Sequence, residues 1–225
     1  MRSRGAAFHR VDLTGIYLTG IDLTDLDSIE AAVGALDLQL DAVCNVAGVP
    51  PTADKNTVLK VNFFGLRHFT EAAIDHFFDG ASIVDVASLA GFQWRSNMEV
   101  VKGGMVTDLS DADNWIAGQL IDRAPSYHLS KELVIARTIW NCQRWSGRGI
   151  FMNCVSPGPA DTPILGDFIK TLGKRAEDDL QINRAATPQE IAPVTAFMCG
   201  DVSTWVNCSD VTVDAGVSAW QQLLS

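Results

Sequence analysis

A tyrosine and a lysine four residues apart, Tyr127 and Lys131, are the side chains in this sequence best suited to acid–base chemistry. Residues i and i+4 of a helix lie on one face, so the phenol and the ammonium can converge. A nearby cation favours the phenolate and lowers the tyrosine pKa from its reference value of about 10. Such a tyrosine can exchange a proton with an alcohol or a carbonyl oxygen near neutral pH. The spacing also arises by chance, and an exposed pair on a helix face is the alternative for an isolated match.

Further polar and small residues follow the strands that the sequence predicts. Ser88 ends the run SIVDVAS, and Asn45-Val46-Ala47-Gly48 ends the preceding apolar run with small residues that let a ligand approach. Asn62 lies in a mainly apolar helix, where asparagine is slightly unfavourable and needs a reason. A loop rich in proline and glycine, residues 156–163, follows another strand. Active sites of α/β proteins gather at the carboxyl ends of strands, so these residues are candidates for one site.

The elements that must position these residues alternate between short apolar runs and amphipathic segments. Strands are predicted at Ala6–Val11, Ile16–Ile21, Leu40–Val46, Ser82–Ala87, Gly149–Val155 and Val211–Val213. Helices are predicted at Asp27–Leu36, about 56–78, Ser126–Trp145, Ile164–Leu172 and Pro188–Cys199, with a polar helical stretch between the last two. Strands that alternate with helices indicate a parallel, doubly wound α/β sheet, here in one domain over residues 1–225.

Residues 92–124 interrupt this alternation with two weak helical stretches around Lys102-Gly103-Gly104. An insertion of this length inside a compact domain is usually a lid, a substrate loop or an interface element. We expect a lid or an interface, with Trp94 and Met98 offering apolar surface over a substrate. A tolerated surface excursion is the alternative.

The composition excludes several classes of function. Hydrophobic residues make up 47% of the 225 residues, and 17 basic against 27 acidic residues give a net charge of −10. An acidic chain without a basic cluster repels nucleic acid and anionic membrane surfaces. The sequence has no apolar run of about 18 residues and no signal-peptide core at its N-terminus, so a cytoplasmic protein is expected. Zinc-site spacing is absent, so we expect no metal and reduced thiols at Cys44, Cys142, Cys154, Cys199 and Cys208.

In this order the motifs resemble those of the short-chain dehydrogenase/reductase family, over about residues 22–216. The stretches DAVCNVAGVPPTAD and NCVSPGPADTPIL, with the long insertion, are most similar to the branch of bacterial coniferyl-alcohol and 3α-hydroxysteroid dehydrogenases. The resemblance implies a Rossmann-like fold and hydride transfer between a nicotinamide cofactor and an alcohol or carbonyl compound. Tyr127 would then be the general acid or base, and Lys131 would lower its pKa and bind the nicotinamide ribose. Ser88 would hold the substrate oxygen, and Asn62 would hold a water of the proton relay.

The resemblance also implies a cofactor site and its preference. Asp12 fits the acidic residue after the second strand, which binds the adenosine ribose and repels a 2′-phosphate; an ordinary loop acid is the alternative. NAD is therefore expected over NADP. The substrate would be a small hydrophobic alcohol or carbonyl compound, aromatic or steroid-like, and the assembly a homodimer or homotetramer. Besides Tyr127 and Lys131, the positions that match cofactor contacts of the family are Asp22, Leu23, Asn45, Ala47, Gly48, Pro157, Gly158 and Thr162.

The sequence departs from the family pattern in two places. Nothing in it matches the opening strand, TGxxxGxG turn and helix that receive the pyrophosphate, so a sheet truncated at the N-terminal side is expected. Three explanations stay open: the sequence is a fragment or has a misassigned start, Ala6–Val11 takes the central strand position, or the chain is a non-catalytic relative that binds partners. The second departure is Ala215, where the family usually has glycine; alanine is a small change there unless φ is positive.

Overall fold

A computed structural model describes residues 20–172 and 184–224. In these residues four parallel strands form one sheet in the order β1-β2-β3-β4. The register runs straight across the sheet, since Val43 pairs with Ile83 and Ile83 with Met152. Ile83 and Val84 are fully buried, as expected of a parallel sheet covered on both faces. The predicted α/β fold with a parallel sheet is confirmed, with β1 at Leu40–Asn45, β2 at Phe77–Val86, β3 at Phe151–Pro157 and β4 at Asp210–Val213.

Some helices of the described residues begin at recognisable capping residues. The carboxylate of Asp54 accepts the backbone N–H groups of Asn56 and Thr57 at the start of the second helix. Thr187 and Glu190 form a capping box at the start of the eighth. A π-helical turn, Lys60–Gly65, joins the second helix to the third. The bounds are α1 Leu26–Gly34, α2 Lys55–Leu59, α3 Leu66–Ala72, α4 Met98–Val106, α5 Ala112–Ala117, α6 Ala124–Trp140, α7 Leu165–Leu172, α8 Pro188–Cys199 and α9 Val217–Leu224.

Several observed boundaries differ from the predicted ones. The long helix predicted at about 56–78 is α2, the π-helical turn, α3 and a 3-10 turn, and β2 already begins at Phe77. The helix predicted to reach Trp145 ends at Trp140. The predicted strand Ala6–Val11 and most of Ile16–Ile21 lie outside the described residues, as does most of the polar helical stretch before α8. Within the described ranges, no helix combines the length and apolarity needed to cross a bilayer.

The insertion at residues 92–124 packs onto the core of the domain. Val101 and Ile116 are fully buried, and the ring of Trp115 meets Phe64 edge-on at 5.6 Å. Arg67 of α3 donates from Nη1 to the carbonyl of Met105 at 2.8 Å. The helix α4 of the insertion also lies against α6, and Asn97 before α4 donates from Nδ2 to Glu132 Oε2 of α6 at 2.7 Å.

Two of the five cysteines are joined in a disulfide, contrary to the expectation that all five are reduced thiols. Cys142 and Cys208 form a disulfide that joins the turn after α6 to the turn before β4. Their Cα atoms are 5.3 Å apart, although 66 residues separate them in sequence, which is why spacing gave no sign of the pair. Cys44, Cys154 and Cys199 are free.

Candidate active site

A cavity of about 1040 Å³ opens at the carboxyl edge of the sheet. The segments after β1, β2 and β3 contribute to its walls, together with α6, α7 and α8. The parallel strands end at the same edge, so residues far apart in sequence meet there. The predicted site residues that line the cavity are Gly48, Ser88, Tyr127, Lys131, Pro157, Gly158 and Thr162.

Tyr127 lies in the first turn of α6, where Pro125 suits the helix start, and its side chain is buried. Burial raises the pKa of Tyr127 well above its ordinary value, and a hydrogen bond with the Ser88 side chain opposes that rise. Ser88 Oγ accepts the backbone N–H of Ala90 at 3.2 Å, which leaves the serine proton free to donate. Two hydroxyl groups are thus held together at the cavity wall, an arrangement that can polarise a substrate oxygen and exchange its proton.

Lys131 lies one helical turn after Tyr127, with its Nζ 5.7 Å from the centre of the tyrosine ring. The ammonium donates to the carbonyl of Val86, the last residue of β2, at 2.9 Å. Burial lowers the pKa of Lys131 from 10.5 to about 8, and the charge of Asp85 opposes this shift. A Cβ atom on Gly48 would lie 4.0 Å from Nζ, so the backbone after β1 passes close to the ammonium.

Asn62 lies in the π-helical turn and is fully buried. Its Oδ1 accepts the backbone N–H of Val49 at 2.8 Å, and its Nδ2 donates to the Val49 carbonyl at 3.1 Å and to Ser130 Oγ at 3.2 Å. These bonds clamp the segment after β1 against α6, which explains an asparagine in an apolar helix. Asn62 does not line the cavity, and its role in holding a water stays a prediction.

The remaining predicted cofactor residues lie outside the cavity lining. The Nδ2 of Asn45 donates to Asp85 in the neighbouring strand β2 and to Thr70 in α3. Asp22 accepts the backbone N–H and the hydroxyl of Thr24, and those bonds lower the pKa of Asp22. Leu23 packs against the π-helical turn, where a Cβ on Gly65 would overlap the Leu23 carbonyl. Ala47 also stays outside the lining, and Asp12 lies outside the described residues.

Apolar side chains that sequence reasoning did not single out form much of the cavity wall. Phe168 of α7 meets the ring of Tyr127 edge-on, and Phe92 lies nearby in the lining. Trp94 and Met98, which we predicted to face a substrate, do not line the cavity, and Trp94 packs on the core. The apolar residues spaced along 164–172 were the available signal for a cavity wall at α7. Within the part of the chain described, no three His, Cys, Asp or Glu side chains are grouped to hold a metal.

Known proteins are similar to this chain in sequence and in architecture. The chain is 36% identical over 228 residues to the coniferyl-alcohol dehydrogenase of Pseudomonas sp. (strain HR199 / DSM 7063), covering 97% of this chain and 89% of the relative. The 3-alpha-hydroxysteroid dehydrogenase from Pseudomonas sp. B-0831, solved with NADH, superposes with a TM-score of 0.77 and 26% identity over 91% of this chain and 85% of that one. A putative 2-deoxy-d-gluconate 3-dehydrogenase from Agrobacterium tumefaciens, solved with NADP, shares the fold at a TM-score of 0.64 and 22% identity over 88% and 75% of the two chains. The sequence profile of a family described as enoyl-(acyl carrier protein) reductase matches residues 114–218.

Proposed function

We propose that this chain, which belongs to the short-chain dehydrogenase/reductase family, transfers a hydride between NAD(H) and a hydrophobic alcohol or carbonyl compound. One arrangement carries the proposal: Ser88, Tyr127 and Lys131 line the same largely apolar cavity, with the ammonium of Lys131 5.7 Å from the centre of the tyrosine ring. Each of the three side chains has a distinct use in acid–base catalysis on an oxygen atom.

The inner part of the cavity fits the nicotinamide end of such a cofactor. Lys131 offers a buried ammonium group, and the backbone at Gly48 passes close beside it, since a Cβ there would lie 4.0 Å from Nζ and 3.3 Å from Asn62 Oδ1. Gly158 packs closely against Asp214, since a Cβ on Gly158 would lie 3.0 Å from the Cβ of Asp214. The residues proposed to hold the cofactor here are Gly48, Tyr127, Lys131, Pro157, Gly158 and Thr162. When bound, NAD(H) supplies or accepts the hydride.

The proposed roles follow from the protonation states of the side chains. The buried phenol of Tyr127 is neutral near pH 7, because its pKa lies well above the ordinary value, so it is ready to protonate a carbonyl oxygen. In the opposite direction the phenolate removes the proton of the substrate hydroxyl, and the ammonium of Lys131 stabilises that phenolate. The hydroxyl of Ser88 donates to the same substrate oxygen and keeps it in reach of Tyr127.

The apolar lining supports an aromatic or steroid-like substrate. Phe92, Phe168 and Ile164 present hydrocarbon surface to the cavity, whose volume suits a ring system. The names of the relatives point to alcohols of these two kinds, a coniferyl alcohol and a 3-alpha-hydroxysteroid. We propose NAD rather than NADP as the cofactor, because the carboxylate of Asp12 would bind the adenosine ribose and repel a 2′-phosphate.

Binding and turnover test the proposal in sequence. NADH is titrated into the protein, with nicotinamide fluorescence and thermal stability as readouts and NADPH as the matched control. Coniferyl alcohol and a 3α-hydroxysteroid are then offered with NAD, and turnover of either is expected. Binding of NADH without turnover of any hydrophobic alcohol contradicts the substrate class, and tighter binding of NADPH contradicts the role of Asp12.

A second candidate function is a non-catalytic binding or scaffold protein. The 225 residues of the sequence contain no TGxxxGxG motif, which in this family receives the pyrophosphate, so cofactor binding has to be measured to decide between the two candidates. This candidate predicts neither enhanced NADH fluorescence nor a thermal shift in the same titration.

The proposed assembly is a homodimer or homotetramer acting in the cytoplasm. The helix α4 of the same chain packs against α6, so part of α6 is already covered within the chain. Light scattering after size-exclusion chromatography measures the state, and a monomer at micromolar concentration contradicts the proposed assembly.

A further inference from the structure

An ion pair is buried in the sheet directly beneath the candidate site. Asp85 of β2 is fully buried, and Arg137 of α6 is 2% exposed. The Nη1 of Arg137 donates to Asp85 Oδ2 at 2.8 Å, while Asp85 Oδ1 accepts Asn45 Nδ2 at 2.7 Å. The same Asn45 nitrogen donates to Thr70 Oγ1 at 3.0 Å. Both carboxylate oxygens are therefore used, and one cluster ties together β1, β2, α3 and α6.

Stability is a poor explanation for this cluster. Taking two charges out of water costs several kcal/mol per ion, and apolar residues of similar volume often stabilise a core as well or better. Within the described residues, Nε and Nη2 of Arg137 have no hydrogen-bond partner, and an unsatisfied buried donor costs about 1–3 kcal/mol. A pair kept in spite of these costs calls for a role other than holding the fold.

The position of the pair relative to Lys131 suggests that role. Asp85 and Val86 are consecutive in β2, and both are bonded to α6: Asp85 to Arg137 through its side chain, and Val86 to Lys131 through its carbonyl. Two residues further along, Ser88 meets Tyr127. The ion pair therefore joins β2 to α6 in the same stretch of the strand that carries Val86 and leads to Ser88.

We propose that Asp85 and Arg137 are positioning residues that hold β2 in register with α6 and set the electrostatic field at Lys131. This assignment rests on the proposed function for its catalytic consequence. Its electrostatic consequence concerns Lys131 alone and can be measured without cofactor or substrate.

The charges around Lys131 define the expected effects. The titratable groups that face its ammonium are Asp85 on β2, Cys154 on β3 and Tyr127 on its own helix. The carboxylate of Asp85 favours the protonated ammonium. The guanidinium of Arg137 lies 2.8 Å from that carboxylate, so we expect it to offset part of this effect. Removing the carboxylate therefore lowers the pKa of Lys131 below about 8, whereas removing the guanidinium raises it. If the ion pair only stabilised the fold, the two variants would not shift the pKa of Lys131 in opposite directions.

The experiment measures the reactivity of Lys131 with acetic anhydride as a function of pH, by mass spectrometry of the labelled peptide. The variants are Asp85→Asn, Arg137→Met and the conservative Arg137→Lys. The labelling midpoint is expected to fall by about one pH unit in Asp85→Asn and to rise in Arg137→Met, with Arg137→Lys close to the parent. The control is Glu71→Gln, which breaks the partly exposed pair with Arg144 and should leave the midpoint unchanged.

The outcomes decide the proposal separately from the proposed function. Unchanged midpoints, or shifts in the same direction, overturn it whether or not the protein turns over a substrate. If Arg137→Met does not fold by circular dichroism, the double variant Asp85→Asn/Arg137→Met removes both charges, and its midpoint should lie above that of Asp85→Asn because the uncompensated guanidinium is gone. In an active holoenzyme, Asp85→Asn is expected to lower kcat at least about tenfold with little change in the substrate KM. If the parent protein turns over no substrate, that result contradicts the proposed function. The labelling result still decides whether Asp85 and Arg137 set the electrostatic field at Lys131.

Discussion

The ring of Phe168 covers the ring of Tyr127 edge-on, with 4.8 Å between the ring centres and 76° between the planes. Phe168 belongs to α7 and Tyr127 to α6, so the contact closes one side of the cavity over the candidate proton donor. Burial is the main reason why the pKa of Tyr127 is raised. The contact therefore connects the shape of the cavity to the acid–base behaviour of the residue proposed for catalysis.

Removing this cover should change the ionisation of Tyr127. In Phe168→Ala, water reaches the phenol and the pKa of Tyr127 falls towards its ordinary value. The chain has two tyrosines, so a Tyr17→Phe background leaves Tyr127 as the only phenol, and its near-ultraviolet absorbance reports the titration. The control is Phe197→Ala, on the half-exposed face of α8 and outside the cavity lining. An equal shift in both variants, or none in Phe168→Ala, contradicts the prediction.

Replacing the phenol itself should separate chemistry from binding. Tyr127→Phe keeps the ring that packs on Phe168 but removes the proton donor, so turnover should fall at least about 100-fold, while NADH affinity changes little. Steady-state kinetics and NADH fluorescence measure the two quantities on the same preparation. Retained activity would remove Tyr127 from its assigned role.

Stability should rise between about pH 8 and 10 because of Lys131. Its pKa is about 8 in the folded chain and near 10.5 when unfolded, so over this window the unfolded state holds the extra proton. Stability increases with pH wherever the unfolded state binds more protons, here by about 2 kcal/mol between pH 8 and 10. Above pH 10 the raised pKa of Tyr127 has the opposite sign, because the folded state then retains a proton that the unfolded state loses.

Urea unfolding at pH 7 and pH 9.5 measures this effect in the parent and in Lys131→Met. The variant has no amine to titrate, so the difference in free energy of unfolding between the two pH values should be smaller by the Lys131 contribution. Identical pH dependence in parent and variant would show that the buried amine is not responsible.

Ala215 should be a site of backbone strain that glycine relieves. Its φ of 53° lies in the left-handed region, where a Cβ costs about 1–2 kcal/mol, part of which the extra freedom of unfolded glycine offsets. Ala215→Gly is therefore expected to stabilise the chain by roughly 0.5–1 kcal/mol, measured by urea unfolding. The matched control is Ala31→Gly on the exposed side of α1, which should destabilise by about 1 kcal/mol. Destabilisation at both positions would contradict the prediction.

The parts that could be predicted from the sequence are those decided over a few neighbouring residues. The spacing of Tyr127 and Lys131 places both on one face of α6 because a helix repeats every 3.6 residues wherever it packs. Apolar runs such as 82–86 become buried strands, and the bounds predicted for Pro188–Cys199 are the observed ones because its capping and breaking residues are local. The order of these motifs was also enough to indicate the family that the comparison confirmed.

Only the tertiary structure decided which distant residues meet. Asp85 and Arg137 are 52 residues apart and Cys142 and Cys208 are 66 apart, and neither spacing carries a signal, since pairing depends on how β2, α6 and the neighbouring turns pack. The same holds for the cavity wall, where Phe168 rather than Trp94 or Met98 faces the site. The residues near a side chain in sequence determine whether it lies in a helix or a strand. The side chains that it contacts depend on the close packing of distant segments, which meet only when the chain folds.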